Sequence, residues 1–188
     1  MATVPSLADE LERIAGLAAT HAGPGDAVSG VIATEPAAGR RVYLVAFDGS
    51  DGFRSWLAVD ADGNAVTSRR ELREAVTVGA LCELAADAAG GGDLDALIDR
   101  LRELRETEAP PGIEDAESAA RELKAMLADP PQVASSTRLD EIGAATRRLE
   151  RELDPTSASP FAAAMRSAEA AVAELQREVE AGYRGPLD

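Results

Sequence analysis

Residues Arg41–Val76 read RVYLVAFDGSDGFRSWLAVDADGNAVTSRRELREAV, and this stretch decides the fold. It spells strand, Gly-rich turn, strand, Asp-Gly turn, short strand and helix. Between Arg41 and Phe47, the set Val42, Leu44, Ala46 alternates with Tyr43, Val45, Phe47. Side chains of a strand alternate between its faces, so both faces here are apolar. Ser55–Val59 repeats the pattern, with Trp56 and Ala58 on one side and Leu57 and Val59 on the other. A sheet with one wet face would alternate apolar and polar residues. Both faces therefore need a cover: helices of the same chain on each side, or helices on one side and a second copy on the other. The stretch also holds Tyr43, Phe47, Phe53 and Trp56 in a chain that is only 3% aromatic. That concentration marks where the largest buried surfaces are expected.

Working outward, Ser6 can cap a helix with Asp9 and Glu10 in its first turn, and Leu7, Leu11, Ile14 and Ala18 share one face. His21-Ala-Gly-Pro-Gly stops it. Ala27–Thr34 reads as a first strand, and Ala65–Thr67 as a short fourth one. Ser68 and Glu71 form a capping-box pair opening a helix that runs to about Ala89. Beyond Gly90-Gly91-Gly92 the apolar residues step by three and four: Leu94 to Leu104, Ile113 to Leu127, Leu139 to Leu153, and Phe161 to Val179. Prolines at 110–111, 130–131 and 155 break these runs, and Ser159-Pro160 suits a helix start.

The expected class is α+β. Residues 1–89 form an N-terminal helix, a three- to four-stranded antiparallel meander and a helix; 90–92 are a glycine linker; 93–188 form a C-terminal all-α bundle or hairpins. The order helix, three strands, helix is similar in topology to small secretion-chaperone domains. The further strands of those domains have no counterpart after the second helix here, and no family is assigned.

Charge narrows the partners. The net charge is −15 at pH 7, which opposes nucleic acid and anionic membrane as default partners, since both require a cationic footprint. Lys124 is the only lysine, and the arginine pairs at 40–41, 69–70 and 147–148 are scattered among acids as ion-pair partners. One cysteine, Cys82, permits neither an internal disulfide nor a cysteine zinc cluster, and reads as a buried structural thiol. No leader-like N-terminus and no long apolar run are visible, so a cytoplasmic location is expected.

Among candidate sites, Asp60, Asp62, Asn64 and Glu71 fall at positions one, three, five and twelve of an EF-hand-like loop, which would suit calcium or magnesium. Ala65 stands where the loop needs glycine, the preceding segment is strand-like, and Asp-Gly between strands is the ordinary hairpin signal. Asp48-Gly-Ser-Asp51-Gly is a second acidic turn. His21, the only histidine, sits at a helix end without a nucleophile motif. Phe161, Met165, Val172, Leu175 and Val179 form either an internal core stripe or a partner face. The expectation is a non-enzymatic interaction or structural module without a resident cofactor, homodimeric or bound to another protein. The alternative is a small-ligand or divalent-cation domain using turns 48–51 and 60–64.

Overall fold

The chain is α+β in the computed structural model, which describes residues 6–37, 39–90, 92–108, 111–128, 133–153 and 160–188. Helix α1, Leu7–Ala18, opens with a complete capping box: the Ser6 Oγ accepts from the Asp9 amide and the Asp9 carboxylate accepts from the Ser6 amide. Strands β1 (Ala27–Ala37), β2 (Arg40–Asp48) and β3 (Arg54–Val59) follow as an antiparallel meander. Gly39, at φ +74, turns β1 into β2. Helix α2, Arg69–Gly90, starts on Ser68, whose Oγ accepts from the Glu71 amide at 3.3 Å. The reciprocal half of that capping box is not made. The Glu71 carboxylate reaches Arg40 instead, at 2.6 Å, because a full opposite charge outcompetes a single backbone amide.

Helices α3 (Asp93–Thr107), α4 (Ile113–Ala128), α5 (Ser136–Glu152) and α6 (Pro160–Ala181) make up the rest, with a two-residue strand β4, Ala134–Ser135, before α5. That strand corrects the expected all-antiparallel meander. The sheet is mixed, in the order β3-β2-β1-β4, and β4 runs parallel to β1 at Thr34 and Glu35. The fourth strand expected at Ala65–Thr67 is reduced to a single bridge between Ala65 and Val59. Two residues carry no periodicity, and a parallel pairing depends on where the chain returns after a long excursion.

Both faces of the sheet are filled by helices of this chain. Tyr43, Val45, Phe47, Leu57 and Val59 meet Ile14 and Ala18 of α1. Val42, Leu44 and Ala58 meet Leu72, Ala75 and Val76 of α2, with Val179 of α6. Each such large side chain, once out of water, contributes about 1.5–3 kcal/mol. Trp56 is half-buried against the second cluster, whereas Phe53 is 77% exposed in the β2–β3 turn, so one of the four aromatics does not serve the core.

The chain divides into two units: Met1–Ala80 with Gln132–Ser136 and Val172–Asp188, and Leu81–Pro131 with Thr137–Ala171. The α+β unit thus takes in segments far beyond residue 89, and the glycines at 90–92 fall inside the second unit. The second unit has its own core, in which Leu94, Ile98 and Leu101 pack with Ala120, Leu123 and Leu127 and with Ile142 and Leu149. These are the stripes that the three-and-four spacing predicts, except that Ile98 is buried more deeply than Leu97.

Candidate functional site

The two acidic turns are built around their own backbones. The Asp60 Oδ1 accepts from the amides of Asp62 and Asn64, each at 2.9 Å, and the Asn64 side-chain amide donates to Oδ2 at 3.0 Å. Burial pushes the Asp60 carboxyl up, but these hydrogen bonds outweigh it and hold the group below its ordinary value. Glu71, the twelfth position of the would-be loop, is turned to Arg40. In the other turn Asp51 accepts from the Phe53 amide, and Asp48 pairs with Arg54 at 2.9 Å, which lowers the Asp48 carboxyl. The turns flank opposite ends of β3, about 20 Å apart by strand rise, and so do not converge. Among the described residues no group of three or more His, Cys, Asp or Glu is arranged to hold a metal ion.

A broad cleft of about 810 Å³ opens beside the first turns of α2, where Arg69, Arg70 and Arg73 gather with Glu74, Thr77 and Gln176. Its charges are matched locally. Arg73 and Arg69 both hold Glu180, Arg70 pairs with Glu74 at 2.7 Å, and the Gln176 amide donates to Thr77 at 2.7 Å. Arg73 keeps the Glu180 carboxyl below its ordinary range. In the helical unit Glu117, 1% exposed, sits among Arg102, Arg105 and Arg121. Cys82 is buried.

The α6 stripe points inward where its side chains are described. Val179 is 2% exposed inside the sheet's second core, Leu175 packs on the same cluster, and Val172 is buried. The side chains of Phe161 and Met165 lie outside the described residues.

What remains is the rim of the sheet. The β3 edge is closed by the C-terminal segment. The Trp56 amide donates to Gly182 O at 3.0 Å, and the Arg184 amide donates to Trp56 O at 2.9 Å. The Tyr183 hydroxyl donates to Val66 O at 2.6 Å, and the Arg184 guanidinium lies 4.8 Å over the Phe47 ring and pairs with Asp26. Among the described residues, β4 covers the β1 edge at Thr34 and Glu35 and nowhere else. Ile32, on that strand, and Phe53 are the two large hydrophobic residues exposed among those described. The sequence reading missed this edge. The uncharged run Ala27–Ala33 signals it only when set against the charges and prolines that edge strands ordinarily carry.

No protein-family model matches the chain, and no curated protein or solved structure matches it. No helix among the described residues is long and apolar enough to cross a membrane. Fold and geometry alone define the class, a two-unit α+β protein with a mixed four-stranded sheet.

Proposed function

We propose that this chain is a cytoplasmic, non-enzymatic protein-interaction module that works as a homodimer, its C-terminal helices forming a bundle of structural role. One observation carries the reading. The acidic turn at Asp60 and the arginines beside α2 are engaged in internal pairs, while among the described residues the β1 edge before Thr34, with Ile32 exposed on it, has no strand beside it. An exposed strand edge is a template for another strand, and native chains ordinarily protect it.

Light scattering tests this directly. A dimer is expected at micromolar concentration, and a monomer throughout would end the homodimer reading. Calcium or magnesium provides the contrast with a cation-binding role at Asp60, Asp62, Asn64 and Glu71. A ligand of the native state must raise the melting temperature. Because the lone pairs of Asp60 are already engaged, no rise is expected, and a rise abolished by Asp62→Asn would favour the cation role instead.

A further inference from the structure

We infer that two copies of this chain join through the outer edge of β1, Ala27–Ala33, in antiparallel fashion, making one sheet continuous across a two-fold axis. The inference rests on the self-association reading and names its surface.

Three observations lead there. On the outer side of Ala27–Ala33 no backbone hydrogen bond to another segment is found among the described residues, since β4 stops at Thr34 and Glu35. The opposite edge of the sheet is closed by the chain's own Gly182–Arg184, so among the described residues the β1 edge is the one left for a partner. The free strand reads AVSGVIA, without charge, lysine or proline, and its one edge-breaking feature is the register shift beside Ser29.

The same features favour a second copy as the occupant. Antiparallel pairing of this strand with itself sets no like charges opposite each other, and Asp26 at its end is neutralised by Arg184. Ile32 is 40% exposed although the next residue, Ala33, is 2% exposed, so a matching strand would cover apolar surface as well as backbone. Helices lie on both faces of the sheet, so a copy placed edge to edge meets a rim of three layers. A rim about 24 Å along seven residues and about 30 Å across the layers offers on the order of 700 Å² per copy. That is close to the ~800 Å² per partner of a stable interface.

Charge separates this occupant from a foreign one. Two copies at −15 each repel, so their dimer tightens as salt rises, whereas a basic partner would be released by salt. Sedimentation of the full chain at low and high salt, together with amide exchange at low and high protein concentration, tests the inference. The expected result is a dimer favoured by salt, with slower exchange within 27–33 as concentration rises. Ile32→Lys and Ser29→Lys should each weaken dimerisation by about tenfold or more while circular dichroism stays native. The exchange readout needs no variant, so it decides the matter even if a lysine substitution unfolds the chain. A dimer whose 27–33 amides are unaffected by concentration overturns this surface but leaves self-association standing; a monomer under all conditions overturns both.

Discussion

Glu117 is the residue that local pattern gets most wrong. It lies one position off the stripe Ala116, Ala120, Leu123, where a charged side chain should face water, yet it is 1% exposed. Its carboxylate is 2.8 Å from Arg105, also meets Arg121, and has Arg102 at 3.9 Å. Neither oxygen makes a well-aligned hydrogen bond, so the attraction is chiefly Coulombic. The three arginines are each more than a third exposed and could turn to water if the carboxylate were lost. Glu117→Gln should therefore cost about 1–2 kcal/mol, not the ~3–5 of a fully buried broken pair. Thermal unfolding should show a fall of about 2–6 °C. Glu117→Met should cost less than Gln or stabilise, because it removes the desolvated charge and fills similar volume. A larger loss with Met than with Gln would mean that the ion cluster holds the α3–α4 pair together. Three arginines on two helices converge on this position only after α3 and α4 have packed, so no spacing in the chain announces the burial.

Among the elements, α2 was the most legible. Ser68 marks its start, and Leu72, Ala75 and Val76 lie on the face that packs on the sheet. Gly79 shows how closely that face approaches. A Cβ built there would stand 3.4 Å from the Thr34 Cγ2 and 3.7 Å from the Leu44 Cδ1, an ordinary contact with no room beyond it. Gly79→Ala should thus stabilise by about 0.5–1 kcal/mol by removing glycine's entropic cost in a helix. Gly79→Leu should destabilise by about 1–3 kcal/mol through overpacking. Urea titration distinguishes the two signs, and a destabilising alanine would show that α2 sits closer to β1 than these distances say. The strands were legible for the same reason as α2, since period-two apolar runs survive without tertiary information. The hidden element was β4, a pairing of two residues whose partner is about a hundred positions away.

At the scale of the molecule, two electrostatic effects of opposite sign compete. Asp26, held low by its hydrogen bond to Arg184, and Glu180, held low by Arg73, have folded-state values below those of the unfolded chain. Their stabilisation is complete above the unfolded values and is lost as pH falls through the folded ones, below about pH 4. The charge of −15 acts the other way, because self-repulsion at pH 7 relaxes as pH falls toward the pI near 4.5. Melting temperature should therefore peak on the acid side of neutrality and drop steeply below about pH 4. Added salt should raise it at pH 7. Asp26→Asn should flatten part of the acid limb; an unchanged limb would remove the Asp26–Arg184 pair from the account.

By itself, the amino-acid sequence determined the three main strands and the principal helices, that those strands carry two apolar faces, and that the chain is strongly acidic. Those properties are written in periods of two and 3.6 and in composition, all of which are local. Only the tertiary structure decided that the covers are α1 on one face and α2 with the end of α6 on the other. It alone placed Gly182–Arg184 along β3 and made β4 a parallel neighbour of β1. Pairings of that kind join residues far apart in the chain, and their energy exists only once the ends have met.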